Sequence, residues 1–312
     1  MFPSLLTALC FALAGISARQ STLHSGPLRA NVGRLVLGLL ILSGIALLRW
    51  QGMSISAVLR FAAAGAIGFG IGGYCMMLTL RRLGTPTALL LVESCTAVLA
   101  GLLAWFALGD VLAVSQILAC LTILAGVLIA GSGWIAASQP AQLHHRIAGY
   151  GFGILASASQ AVSLVLSRQV FLQSATLGEP IDKLDAAWIR LIGGALLACL
   201  ILLTLRRRNW HQPHPPRNPE ASAFRWFRSQ TPLLQQPLTW MLINALMGPV
   251  MGVTCWLWAV SLLNPGIVQS IAATAPLISL PIARCLEREP IGIAFFIGAP
   301  VAIFGTALLA LA

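Results

Sequence analysis

Charge is what this chain has least of. Only 9% of its 312 residues are charged, and Lys183 is its single lysine. Soluble domains have about a quarter of their residues charged. With 58% hydrophobic residues and a mean hydropathy of +0.88, the chain has more apolar surface than a water-soluble core could bury. This composition excludes an ordinary soluble domain and predicts a protein whose solvent is the lipid bilayer.

Acidic residues are also scarce, since 8 Asp and Glu stand against 19 Lys and Arg and leave a net charge of +11. In a soluble protein this excess would favour binding to nucleic acid. Here most of the basic residues stand at the ends of apolar segments, where they anchor helices and set their orientation. We therefore expect the lipid bilayer, and no nucleic acid, as a partner.

Three further absences narrow the function. The seven cysteines lie in apolar segments without metal-ligand spacing, so we expect packing residues, no metal site and no cofactor. The glycine-rich run at 65–73 lacks the Lys–Ser/Thr pair of a phosphate-binding loop, so we expect no nucleotide site there. No basic residue precedes Arg19, which predicts a retained helix at 3–20 and no cleaved signal peptide.

Apolar runs dominate what is present. A membrane-crossing helix needs about 20 apolar residues, and that length predicts an all-α polytopic protein with ten spans, near 3–20, 31–49, 60–80, 85–108, 112–133, 148–170, 186–205, 239–262, 266–285 and 291–311. The first five form a unit at 1–133, the connection 134–147 follows, and the second five form a unit at 148–312. A long polar loop at 206–238 interrupts the second unit and is predicted to be solvated.

The two units repeat one pattern. Four residues of the first unit recur 180 positions later with the same identities: Gly68, Gly72, Cys75 and Leu83 match Gly248, Gly252, Cys255 and Leu263. Arg34–Leu35 and Arg190–Leu191 begin the second helix of each unit. Because five is odd, the second copy must enter the membrane in the opposite sense, which predicts inverted repeats with a central site between them.

A turn after the fourth helix of each unit completes the pattern, as Leu108–Gly109–Asp110 and as Leu286–Glu287–Arg288–Glu289. With these motifs the chain resembles an EamA-type member of the drug/metabolite transporter superfamily, over nearly its whole length except 206–238. The resemblance implies a multi-pass inner-membrane protein, with both termini in the cytoplasm, that moves small metabolites, often amino acids. The concentration of Arg in the odd-numbered connections predicts the opposite orientation.

Glu93 is the only acid that we expect inside a span. A charged side chain at mid-membrane costs about 2.5–3.5 kcal/mol on insertion scales, so such residues are functional by default. We predict that Glu93 binds a substrate ammonium group or carries a coupling proton, because burial favours the neutral form of a carboxyl. The alternatives are a structural partner for an intramembrane arginine and a neutral, hydrogen-bonded core acid.

Arg34 and Arg190 each begin a predicted helix. They are either orientation anchors that reach the headgroups or cavity residues that meet a substrate carboxylate or Glu93. Gln160 and Gln269 are the polar residues that we place in a wet cavity. Of the two tryptophans in the eighth span, at most one points inward; we choose Trp258, which could stack on a substrate or serve only for packing.

Glycines and prolines mark packing and bending. The spacing of Gly68 with Gly72, and of Gly248 with Gly252, predicts close helix packing in both units. Three prolines interrupt apolar spans and predict hinges or static kinks: Pro249, Pro276 and Pro281.

Together these features predict a secondary transporter of a small polar metabolite, such as an amino acid or related zwitterion, with export as the favoured direction. A polytopic membrane enzyme fits less well, because the five histidines stand in predicted loops without acidic partners. A channel or an assembly subunit is the other alternative. A channel would give a steady, unsaturable conductance, whereas a transporter would saturate.

Overall fold

The computed structural model describes residues 1–50, 52–137, 143–179, 181–206, 237–287 and 293–311. Within these ranges every regular element is helical, which confirms the all-α prediction. Most of the predicted loop at 206–238, the middle of the connection at 134–147 and Arg288–Glu289 of the second turn lie outside the described residues.

The helices follow one another along the chain, and residues 207–236, between the seventh and the eighth, lie outside the described part. In the first half they are α1 (Phe2–Ser25), α2 (Pro27–Arg49), α3 (Ile55–Leu83), α4 (Thr85–Leu108) and α5 (Val114–Ala137). In the second half they are α6 (Leu143–Thr176), α7 (Lys183–Arg206), α8 (Leu238–Leu262), α9 (Pro265–Ala272 with Ala275–Glu287) and α10 (Ile293–Leu311). Gly26 and Gly84 end α1 and α3 with φ of 80° and 83°, a backbone conformation that favours glycine.

Eight of these helices are long and apolar enough to cross a bilayer, and two shorter apolar stretches are Val114–Ala130 and Ile293–Leu309. Large apolar side chains cover the outside of the bundle; Leu48 and Ile55, for example, are 87% and 80% exposed. Such a surface is stable only against lipid. The chain is therefore a multi-pass integral membrane protein.

Two helices contain a π-helical turn at equivalent places. In α3 it spans Ala66–Gly72, and in α8 it spans Leu246–Gly252, which is again 180 residues further on. The second turn includes Pro249, which cannot donate a backbone hydrogen bond to the preceding turn. Short π-helical insertions of this kind are frequent at functional sites.

The predicted span at 266–285 is not one continuous helix. It divides into Pro265–Ala272 and Ala275–Glu287, with Ala273 and Thr274 in a turn between them. Pro276 explains the break, because it has no N–H to donate to the carbonyl of Ala272 and it disfavours the helical conformation of the residue before it.

Each half packs its first helix against the third helix of the other half. Gly68 and Gly72 of α3 face Ser163 and Ser159 of α6, and Gly252 of α8 faces Phe11 of α1. Here the absence of side chains lets the backbones approach closely. The space enclosed by these crossings holds the candidate site.

The outer helices pack through glycine as well. A side chain at Gly126 of α5 would overlap the backbone of α10 at Ala302, and one at Gly298 would overlap α5 at Ala130. Likewise, a side chain at Gly65 of α3 would overlap the Arg190 carbonyl oxygen of α7. These contacts hold α5 against α10 and α3 against α7.

Candidate functional site

A cavity lies between the two halves, bounded by α1, α2, α3, α4, α6, α7 and α8. It holds about 700 Å³ of space free of protein atoms, including space that is open to solvent. Its walls are mainly apolar, and its polar lining residues are Arg34, Glu93, Gln160, Ser163, Arg190 and Asn244.

The Arg190 guanidinium forms one corner of the cavity. Its side chain is only 1% exposed. Nη2 donates to Ser163 Oγ at 2.9 Å, and Nη1 donates to Ser167 Oγ. The rings of Phe69 and Trp256 lie 5.4 and 5.2 Å from the guanidinium carbon, within the range of cation–π attraction. Two hydroxyls and two rings therefore fix the position of this cation, while its Nε has no hydrogen-bond partner.

The Arg34 guanidinium forms the opposite corner and is half-buried. Its Nε and Nη2 donate to Asn31 Oδ1 at 3.1 and 2.9 Å, one helical turn away on α2. Asn31 in turn donates from Nδ2 to the Phe69 carbonyl oxygen at 3.0 Å, inside the π-helical turn of α3. The oxygen of the Asn31 amide thus orients the arginine, and its nitrogen holds Asn31 itself against α3.

The two corners are equivalent in the repeat, and each is built over a glycine. A Cβ at Gly68 would lie 3.8 Å from Arg190 Nη2, and a Cβ at Gly248 would lie 3.8 Å from Arg34 Nη1. Beside Gly68 stands Ser163, whereas beside Gly248 stands Ala14. Each corner therefore has an arginine, but the residues around the two arginines differ.

Glu93 lies on a third side of the cavity, 3% exposed, in a hydrogen-bonded chain that joins three helices. Trp256 Nε1 donates to Gln269 Oε1 at 3.0 Å, and Gln269 Nε2 donates to Glu93 Oε2 at 2.5 Å. Because an indole N–H can only donate, it fixes the carbonyl end of the amide and turns the NH₂ toward Glu93. The same Trp256 ring faces Arg190, so the acid and the arginine share a neighbour.

Within the described part of the chain, no acidic side chain lies within 4.0 Å of the Arg34 or Arg190 guanidinium; ion pairs elsewhere include Arg49–Asp182 and Arg168–Asp110. The expected contact between one of these arginines and Glu93 is therefore absent, and Glu93 is not an ion-pair partner for either arginine. The cavity presents two cations whose charge no neighbouring carboxylate balances.

The structure brings four of the predicted site residues into the cavity wall: Glu93, Arg34, Arg190 and Gln160. Gln269 is fully buried and supports Glu93. Trp258 is 43% exposed on the outer face of α8, and Trp256 lines the cavity in its place. A separation of two residues turns a side chain by about 200° around a helix, so the two tryptophans face opposite ways.

The predicted kink residues lie in three settings. Pro249 lies in the π-helical turn of α8, and Pro276 follows the break in α9. Pro281 lies within the continuous segment Ala275–Glu287 and is exposed.

Sequence reasoning did not single out Asn31, Ser163 or Ser167. The sequence does contain a signal for these three residues, which is their spacing. Asn31 precedes Arg34 by three residues, and Ser163 precedes Ser167 by four, so each pair lies on one helical face. Asn244 was not singled out either, because nothing in its sequence neighbourhood marks it as a cavity residue.

Comparison with known proteins agrees with this architecture. A model of the EamA-like transporter family matches residues 2–132 and again residues 147–311. None of the curated proteins matches the chain. A crystal structure with 17% sequence identity matches 100% of this chain and 99% of its own, with a TM-score of 0.68. At that identity the likeness shows the fold alone.

Proposed function

Because the chain belongs to the EamA-like transporter family, we propose that it is a secondary transporter that exports a small carboxylate-bearing metabolite, such as an amino acid, across the inner membrane. The observation that carries the proposal is the pair of cavity arginines without a carboxylate partner. A buried charge is costly unless it is paired. A substrate carboxylate supplies the missing partner in a geometry that a guanidinium recognises well.

Glu93 gives the same cavity one acidic position. In this proposal it receives the ammonium group of a zwitterionic substrate or carries a coupling proton. Its contact with Gln269 supports this role, because one hydrogen bond leaves the carboxylate with unused acceptor positions that face the cavity.

We further propose ten spans in two inverted five-helix repeats, with alternating access to the central cavity. The reciprocal packing of α1 on α8 and of α6 on α3 supports this arrangement. The matched π-helical turns support it as well, because they give both halves the same local bend beside the cavity. Rocking of one repeat against the other around a fixed site is the usual movement of such folds.

The test is a metabolite profile of the medium from cells that express the wild type or one variant. Arg190→Gln and Arg34→Gln remove one cation each, and Arg60→Gln is the matched control because Arg60 is a half-buried arginine outside the cavity lining that bonds to Gln173. We expect a carboxylate-bearing class to be enriched by the wild type and by Arg60→Gln, and lost in both cavity variants. Unchanged enrichment in both cavity variants, with normal protein levels, would overturn the proposal.

A further inference from the structure

We propose that the transported substrate carries two anionic groups, one for each arginine corner, and that Asn244 determines the specificity for the second group. The inference rests on the transport function proposed above and names the substrate class of the same cavity. The motivating observation is that the corner around Arg34 contains a polar group that the protein itself leaves unmatched.

That group is the side-chain amide of Asn244. The residue is 1% exposed and lines the cavity, and its Nδ2 has no hydrogen-bond partner. Buried amide donors in native proteins almost always have a partner, so an unmatched one requires an explanation. A substrate oxygen is an acceptor that can reach an amide in the cavity wall.

Asn244 and Arg34 converge on one point. A Cβ at Gly248 would lie 3.4 Å from Asn244 Oδ1 and 3.8 Å from Arg34 Nη1. The amide and the guanidinium therefore border the same small space above the π-helical turn of α8. The atom of Asn244 that borders this space is Oδ1, and a half-turn of the amide about the Cβ–Cγ bond places Nδ2 there instead. The amide N–H and the guanidinium N–H can then donate to the two oxygens of one carboxylate.

Asn31 and Asn244 have different roles in this corner: Asn31 holds Arg34, and Asn244 is left to bind the substrate. Asn31 uses its Oδ1 for Arg34 and its Nδ2 for the Phe69 carbonyl, so it has no donor left for a ligand. Asn244 makes neither contact. Asn31 thus already orients the Arg34 guanidinium, and the Nδ2 donor of Asn244 is left for a ligand.

The charged groups of the cavity wall also favour a substrate with two anionic groups. Two guanidinium groups and one carboxyl line it, so a substrate with a single carboxylate would leave one corner unmatched. A dicarboxylate occupies both corners, and an amino dicarboxylate adds an ammonium group for Glu93. The shared chemistry is two anionic groups on one small molecule.

Gly248 offers a way to fill the corner without disturbing the fold. The nearest atoms to a Cβ there lie at 3.4, 3.5 and 3.8 Å, which is ordinary contact distance. Gly248→Ala therefore fits the protein and places a methyl group where the second anionic group would bind. At the equivalent Gly68 the Cβ would lie 2.5 Å from Ser163 Oγ, so that substitution is a poorer probe.

The experiment measures ligand-induced shifts of thermal unfolding for the full chain in lipid nanodiscs. The probes are pairs matched in carbon number, butyrate with succinate and pentanoate with glutarate, and glutamate is added for the ammonium group. The variants are Asn244→Leu, Gly248→Ala and, as a control on the outer surface, Gln173→Leu. For the wild type we expect apparent dicarboxylate affinities roughly tenfold to hundredfold above those of the matched monocarboxylates, the effect of one hydrogen bond to a charged group.

Asn244→Leu should reduce this dicarboxylate advantage, measured as the ratio of the two affinities within each matched pair, and Gly248→Ala should remove it, while Gln173→Leu keeps the wild-type ratio. A larger shift with glutamate than with glutarate would identify the amino dicarboxylate as the better fit, and equal shifts would identify the plain dicarboxylate. Equal binding of both members of each pair by the wild type would overturn this inference and leave the proposed carboxylate transport intact. A failure of every carboxylate to shift unfolding would instead contradict both proposals.

Discussion

The hydrogen-bonded chain Trp256–Gln269–Glu93 makes a quantitative prediction about coupling. Gln269→Leu leaves the indole N–H and the Glu93 carboxyl without their partner, and each unmatched buried group costs about 1–3 kcal/mol. Trp256→Phe removes only the N–H of the 3.0 Å bond and some ring volume. Hydrogen bonds between membrane helices contribute about 0.6 to 2 kcal/mol. In the Gln269→Leu background the indole has no partner to lose, so the same substitution should cost less by about 1–2 kcal/mol.

The assay is a double-mutant cycle of equilibrium unfolding in mixed detergent micelles. The loss of ring volume occurs in both backgrounds and cancels in the cycle, so the remaining coupling free energy reports the hydrogen bond. Trp258→Phe is the matched control, because Trp258 lies on the outer face of α8 and should combine additively with Gln269→Leu. Additivity of Trp256→Phe and Gln269→Leu within about 0.3–0.5 kcal/mol would refute the chain.

Three further outcomes are expected. Gly65→Ala should separate α3 from α7 and lower the unfolding temperature by several degrees, whereas Gly151→Ala, where a Cβ meets nothing within 4 Å, should be neutral or mildly stabilising. Glu93→Gln should abolish the pH dependence of transport or the preference for substrates with an ammonium group, as flux measurements in proteoliposomes at several pH values would show; an unchanged profile would exclude both roles. Pro276→Ala should slow transport several-fold without lowering the unfolding temperature if the break in α9 is a hinge, and an unaltered rate with a folded protein would identify a static kink.

Much of the architecture follows from the sequence because apolar length and repeated landmarks are one-dimensional signals. The offset of 180 between the glycine pairs anticipated that α3 and α8 would match, and the structure finds π-helical turns at both places. The turns themselves could not be predicted, because an inserted backbone bond changes no residue pattern. The break before Pro276 was marked only as a bend, since sequence does not distinguish a kinked helix from two segments.

The candidate site was predicted in part, because an ionisable residue in an apolar span is a functional candidate whichever way its side chain points. Glu93 and both arginines reach the cavity. The choice of Trp258 over Trp256 could not be made correctly, because both are equally apolar in sequence and only the packing of α8 decides which faces inward. The partners of Arg190 come from three other helices, α3, α6 and α8, and such long-range pairing has no local signature.

The differences between the repeats bear on selectivity more than their similarities do. The sequences Ala18–Arg19–Gln20 of α1 and Ser167–Arg168–Gln169 of α6 align the first helices of the two repeats. In that alignment Ser163 and Ser167, which hold Arg190, stand where the first repeat has Ala14 and Ala18. The asparagines of the Arg34 corner, Asn31 and Asn244, stand where the other repeat has alanines as well: Ala187 and Ala64. Each arginine thus occurs in both repeats, while each polar neighbour occurs in one.

This pattern separates two requirements of a transporter. In the proposed mechanism, rocking around a central site needs two halves that bend alike, and the matched glycines and π-helical turns would meet that need. A substrate whose two ends differ needs two corners that differ, which hydroxyls on one side and amides on the other provide. Exchanging the neighbours while the arginines stay in place, as in Ser163→Ala with Ala14→Ser, should therefore alter which substrates are preferred more than it alters the maximal rate. A loss of rate with unchanged preference would show that these hydroxyls only support the fold.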